Sequence, residues 1–283
     1  MKTERKKRIL NRKRKQQKRI LRKLLLFYST IILTILLMIF FQNKSFNKDN
    51  FVSTDTAQME KDILQFAKEH QISLSSYPPE ILEMLHNNPE TKDFVFNYPL
   101  EHSHNHSEDL SDYSDFETVP ILMQWDTRWG YIPYAGEVTG LSGCGPLCLS
   151  MVGLYLTGDQ DRFRPDSVLH FAQTNNYAVD KKGSKWSLIT EGGQQLGLNV
   201  SELPLDRYRI EQNLNAHHPI ICAMGPGDFT TTGHFIVLTG SSYLEDTGEY
   251  KITVNDPNSL KNSSRLWSYE EIAPQIKNLW AIQ

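Results

Sequence analysis

An α+β domain behind a single membrane-spanning helix is the architecture that the sequence predicts, on three observations. Residues 24–41 form an uncharged, largely apolar run of eighteen that starts where a basic stretch ends. A glycine-bracketed cysteine, Cys144, opens a long apolar segment with the punctuation of a helix. Short, apolar, β-branched segments follow it, and a long helix leading into late strands reads as α+β rather than doubly wound.

The chain has 283 residues, 39% hydrophobic and 22% charged, which excludes a wholly disordered, collagen-like or multi-span membrane protein. Its length fits one globular domain with accessory segments. The formal charge of −3 is an average over two unlike parts. Met1 to Lys23 carries thirteen Lys and Arg against Glu4 alone, a net of +12, so the remaining chain carries −15. A basic tail of this kind invites nucleic acid as a partner, but it stops at the apolar run, so anionic lipid headgroups are the expected partner and nucleic acid is not.

As a helix, residues 24–41 would reach about 27 Å at ~1.5 Å per residue, close to the hydrocarbon thickness of a bilayer. A cleaved secretory signal has a shorter apolar region followed by small residues, whereas QNKSFNKDN follows here, so an uncleaved signal anchor is expected. By the positive-inside rule the tail stays cytoplasmic and everything after Phe41 lies outside the cell membrane. The organisation read from the sequence is therefore a cytoplasmic tail over 1–23, an anchor over 24–41, a tether, helical stalk and acidic linker over 42–117, and a domain over 118–283.

Gln42 to about Thr56 is polar and reads as a tether. Ala57 to Gln71 has apolar residues at helical spacing, and a second short helix is expected from Pro78-Pro79 to Asn87. Glu101 to Glu117 is acidic and nearly free of aliphatics, a linker composition. His102, His104 and His106 lie in it without fixed elements to preform a cage, so no metal is expected, and no organic cofactor. Beyond Thr118, strands are expected at VPILM, Pro219 to Met224, His234 to Gly240 and Tyr250 to Asp256. Helices are expected at Pro146 to Leu156, Pro165 to Gln173, Trp186 to Leu196 and Ser268 to Ile276.

Three cysteines are too few for a disulfide framework and leave at least one thiol over. In Ser142-Gly143-Cys144-Gly145-Pro146, the proline suits a first helical turn and Gly158 suits the stop, so Cys144 sits at a helix N-terminus, where backbone amides favour an anionic sulfur. The flanking glycines would leave room for a substrate carbonyl to approach. Cys148, one turn on, reads as a packing residue. A nucleophilic thiol needs a base oriented by a third group. Among nine histidines His234 stands apart, because it opens the apolar strand HFIVLTG, and Asp256 ends the next strand within plausible reach of its ring.

QWDTRWG, SGCGPLCLSMVGLYLTG, TTGHFIVLTG and VNDPNS together resemble the papain-like cysteine peptidases related to the bacteriocin double-glycine leader peptidases, the peptidase family thirty-nine-like bacterial proteins; YPPEILEMLHNNPETKDFVFNYP resembles the region before the catalytic domain in such proteins, so the likeness runs from about Tyr77 to Gln283. The resemblance implies a papain-like α+β fold, with Cys144 as nucleophile, His234 as general base and then acid, and Asp256 as the orienting acid. It also implies that Gln124 is the side-chain donor of an oxyanion hole, beside the Cys144 backbone N–H. Gln124 lies twenty positions before Cys144, farther than in papain itself, so the loop over 129–143 must bring it back. Trp125, Trp129, Tyr131 and Tyr134 are either cleft walls or core, and Trp186 is expected to pack.

The expected activity is hydrolysis of a peptide or amide bond outside the cell membrane, on a peptide or cell-wall peptide substrate. An amidase or transferase acting on wall peptides uses the same groups. A non-catalytic peptide-binding module on the same fold is the alternative from another class.

Overall fold

The computed structural model describes residues 58–104, 110 and 116–283. The basic tail and the expected membrane anchor lie outside the described residues. Among the described residues no helix is long and apolar enough to cross a membrane. The three expected linker histidines are divided: His102 and His104 are described, at the exposed end of a helix, and His106 is not. The described residues hold no cluster of potential metal ligands. The chain divides into two units, one up to Gln65 and one from Phe66 to Gln283, and the second contains everything that follows.

That unit is α+β. Two helices lead it, α1 (Pro79–Asn87) and α2 (Lys92–Glu101). The helix that begins at the glycine-bracketed cysteine, α3 (Cys144–Thr157), is followed by α4 (Pro165–Thr174). Strand β1 (Val200–Glu202) and helix α5 (Arg207–Asn215) come next. Then follow β2 (Ile220–Met224), β3 (His234–Tyr243), β4 (Tyr250–Asn255), β5 (Leu266–Ser268) and β6 (Ile276–Ile282). The six strands form one antiparallel sheet in the order β1-β6-β2-β3-β4-β5.

Helix α3 is the pillar of the unit. Every residue from Gly145 to Leu154 is buried, so the helix is apolar all round, as a helix enclosed by its domain must be. Gly158 ends it in the left-handed conformation (φ 64°), and its N–H bonds back to the Leu154 carbonyl. The period-two alternation of the strands separates two cores. Ile221, Ala223, Phe235 and Val237 pack with Leu147 and Met151 of α3, whereas Cys222, Ile236, Ile252 and Val254 pack with Ile210 and Leu214 of α5.

Several expected elements take a different form. VPILM is not a strand. Pro120 has no N–H for a ladder, and the carbonyls of Val119 and Pro120 are both taken by the Asn255 side chain (2.9 and 3.1 Å), while Leu122 is fully buried as an anchor. The helix expected over Trp186 to Leu196 is broken into a 3-10 turn, Trp186–Leu188, and a short helix, Glu191–Gln195. The segment from Ser268 has its helical start, with a Ser268–Glu271 capping box, but Ile276 opens β6 instead of closing a helix.

Of the helices expected in the stalk, α1 belongs to the same unit as residues 118–283, and so does α2, which the sequence reading did not anticipate. Phe94 of α2 stacks on Tyr131 (4.4 Å between ring centroids), and the Tyr131 hydroxyl donates to the Phe94 carbonyl at 2.8 Å. Both rings are almost wholly buried.

Gly153 tests the packing of α3. Its absent Cβ would lie 2.0 Å from the fully buried Phe163 ring. Gly153→Ala gains up to about 1 kcal/mol of helix propensity, but overpacking a closed core costs about 1–3 kcal/mol. A net loss of stability is expected as a lower urea midpoint with unchanged slope; a rise in the midpoint would mean that the ring can move aside.

Candidate active site

Cys144 is the first residue of α3 and is partly exposed, whereas Cys148 and Cys222 are fully buried; all three are free thiols. Gly143 and Gly145 do not leave open space beside the sulfur, as the sequence suggested. A Cβ at Gly143 would meet Thr139, and one at Gly145 would meet Ser184 at 2.7 Å, so the glycines let the start of the helix pack closely on the preceding turn and on the 183–184 segment.

His234 opens β3, and its side chain is only 7% exposed. Its Nε2 lies 2.7 Å from Asp256 Oδ1, and it lines the same cleft as Cys144. The sheet register explains the contact with Asp256. Val237 pairs with Asn255, so Asp256 continues β4 into the row diagonal to His234, a distance that side chains span. Burial works against a charged ring, but the Asp256 carboxylate, its hydrogen bond and the contact with Cys144 outweigh it, and the His234 pKa is pushed up to about 10.

Asp256 is 1% exposed and fully engaged. Oδ1 also accepts from the Asn258 N–H (2.9 Å), Oδ2 accepts from Asn262 Nδ2 (2.8 Å), and its own N–H donates to Ser263 Oγ (2.9 Å). The loop that makes these contacts is held from outside. Asn88 Nδ2 and Trp125 Nε1 both donate to the Asn258 carbonyl, and the Glu90 carboxylate accepts from the N–H groups of Leu260 and Lys261 (3.0 and 2.8 Å). The segment between α1 and α2 is thus a brace for the acid's loop, a role that composition did not reveal.

Gln124 is buried between the same two regions. Its N–H donates to the Pro257 carbonyl at 2.7 Å, and its Nε2 donates to the Gly140 carbonyl at 2.7 Å, in the turn just before Cys144. The loop over 129–143 does bring the chain back, through a hairpin (Pro133–Tyr134 with Glu137–Val138) and the short helix Thr139–Ser142. Nε2 keeps one hydrogen beyond the bond to Gly140, and Oε1 has no partner.

A cleft of about 550 Å³ opens at Cys144 and His234. Trp129, Tyr131 and Tyr134 do not wall it; they are core residues, at most 2% exposed. Trp186 does, at 47% exposure, so the expectation that it packs away is corrected. The break in the expected helix leaves its ring on the surface, edge-on to Trp280. Lys181, Lys182 and Lys277 also line the cleft. The sequence does not single out these three, because a lysine pair in a turn and one lysine in a strand have no pattern that distinguishes them from ordinary surface.

Residues 116–283 match the model of the Peptidase_C39 like family. The chain belongs to that family. The match covers most of the compact unit and spans Gln124, Cys144, His234 and Asp256, while α1, α2 and their brace lie before it. A search among curated proteins gives no match. Membership in this C39-like family agrees with the resemblance drawn from the sequence and points to a peptidase-related function.

The three thiols of this C39-like chain are expected to react unequally. Burial pushes the Cys148 and Cys222 thiols well up, toward the unreactive neutral form. Native protein treated with iodoacetamide should take up one label, at Cys144, and three after denaturation, as read by mass spectrometry of the digested protein. Native labelling of Cys148 at a comparable rate would contradict the burial.

Proposed function

We propose that this protein is a membrane-tethered, extracytoplasmic thiol hydrolase that cleaves a peptide or amide bond through Cys144, His234 and Asp256. The observation that carries the reading is that one cleft brings together the Cys144 sulfur and the His234 imidazole, with that imidazole bonded at 2.7 Å to a buried, fully engaged carboxylate. Family membership supports a peptidase-related activity, and the apolar run over 24–41 behind a basic tail supports the tether and the side of the membrane.

The chemistry follows from the contacts. Asp256 holds His234 through Nε2, which leaves Nδ1 for the sulfur and fixes the ring's orientation. A proton on the ring makes a thiolate–imidazolium pair of Cys144 and His234. The thiolate attacks the substrate carbonyl and forms the carbon–sulfur bond. Imidazolium then passes its proton to the leaving amine as the carbon–nitrogen bond breaks, and water, activated by the now neutral ring, hydrolyses the thioester. The negative charge that grows on the carbonyl oxygen needs donors in a dry setting. The Cys144 N–H, first in its helix and without an intrahelical acceptor, and the second Nε2 hydrogen of Gln124 are the pair proposed for it.

Two measurements test this reading. Because the His234 pKa is raised to about 10, the imidazolium and its contribution to stability are fully present below about 6.5 and are lost as pH rises through about 10. The alkaline limb of kcat/KM is therefore expected near 10. In Asp256→Asn, which removes the carboxylate's charge, the limb should move down toward neutrality, and an unmoved limb would detach Asp256 from the mechanism. Gln124→Ala should lower kcat/KM by about 10² to 10³ with little change in KM, the usual effect of removing one oxyanion donor. A loss expressed only in KM would make Gln124 a structural bridge between the Gly140 and Pro257 carbonyls and nothing more.

A further inference from the structure

The cleft at Cys144 runs against the charge of the chain around it. The residues after Lys23 carry −15, yet the cleft is lined by Lys181, Lys182 and Lys277 and by no Asp or Glu. The nearby acids are turned elsewhere. A Cβ on Gly136 would meet Asp180 Oδ1, so that carboxylate faces the 133–138 hairpin, and Asp228 Oδ2 accepts from Gln275 Nε2 at 2.7 Å. Lys181 has one distant partner, Glu80 at 4.0 Å. Lys182 and Lys277 are exposed, and among the described residues neither forms an ion pair.

The placement of Lys277 is specific. Ile276 pairs with Met224 and Asn278 with Ala223, so Lys277 is the extra residue of a bulge in β6. Bulges re-aim side chains, and this one lays the lysine stem across Gly225, where a Cβ would meet its Cε at 2.1 Å and its Nζ at 3.1 Å. Lys182 reaches the same cleft from the turn between the paired segments Ala178–Val179 and Gly183–Ser184, where Lys181 takes a left-handed φ of 52°. The exposed Trp186 ring adds an apolar surface beside them.

We propose that Lys182 and Lys277 make this cleft selective for acidic peptides, each ammonium taking a carboxylate close to the bond presented to Cys144, with the Trp186 ring against an adjoining apolar group. This rests on the hydrolase reading for its consequence but not for its binding.

The test is a positional-scanning library of fluorogenic peptides in which Glu and Gln are compared as the fixed residue at each position. Wild type is expected to favour Glu by about fivefold at one position or more, the scale of an exposed ion pair. The ratio should fall to unity or below in Lys277→Glu and in Lys182→Glu, and should shrink with added salt. Two variants on separate segments guard against a local folding defect in either, and a thermal melt of each checks it. Cleavage by wild type without a preference for the free acid in the library or in the wall-peptide arm below would overturn the selectivity and leave the hydrolase reading intact. If wild type cleaves nothing, the hydrolase reading fails, and anisotropy of labelled Glu and Gln peptides on the full-length protein decides selectivity by the same ratio. Wall stem peptides with free or amidated carboxylates form a parallel arm. Lysine-dependent preference for the free acid in either arm upholds the proposal and tells a wall source from a protein one, and preference in neither overturns it.

Discussion

The 2.7 Å contact between His234 and Asp256 is the constraint around which the rest of this molecule is arranged. An imidazole and a carboxylate taken out of water together are costly unless every remaining lone pair and proton is matched, and here the match is supplied by the loop after β4. Asn258, Asn262 and Ser263 close around Asp256, so the acid has one available orientation, and the ring it binds has one as well. Burial alone would discharge the ring; the carboxylate reverses the sign, which keeps a proton beside the sulfur at neutral pH.

A loop that carries so many obligations has to be held, and the restraint comes from distant parts of the chain. Asn88 and Glu90, between the two leading helices, and Trp125 with the Gln124 backbone all bond to residues 257–261. Gln124 extends the same frame to the Gly140 carbonyl, so the turn before Cys144 and the loop after Asp256 are linked through one buried side chain. The sulfur, ring and acid are therefore set on three elements held by contacts outside the site, the condition under which a constellation of side chains keeps its geometry. The leading helices are part of this support, because the stacked pair Phe94 and Tyr131 anchors them to the unit they precede.

The cleft combines this rigid floor with a charged rim. A negative chain that sets the ammonium ions of Lys182 and Lys277 together, with no ion pair to either among the described residues, focuses its attraction there, and a bulge in β6 is what directs one of those ions over the floor.

The sequence by itself determined the features governed by local rules. Gly143 through Pro146 and Gly158 bound a helix in the chain because capping and proline placement act within one turn, so Cys144 was legible at its head. The strands from Ile220 to Asn255 were legible because β-branched runs between turn residues have few other uses; Cys144, His234 and Asp256 stood out by their places at the ends of these elements, and Gln124 only through the family likeness. Tertiary structure alone decided the rest. VPILM has a strand's composition, but its own Val119 and Pro120 carbonyls are taken by the Asn255 side chain; Ile276 reads locally as the end of a helix but opens β6 inside the sheet. The exposure of Trp186, the direction of Lys277 and the brace at Asn88 and Glu90 depend on which distant backbone lies alongside, and no local pattern in the chain carries that information.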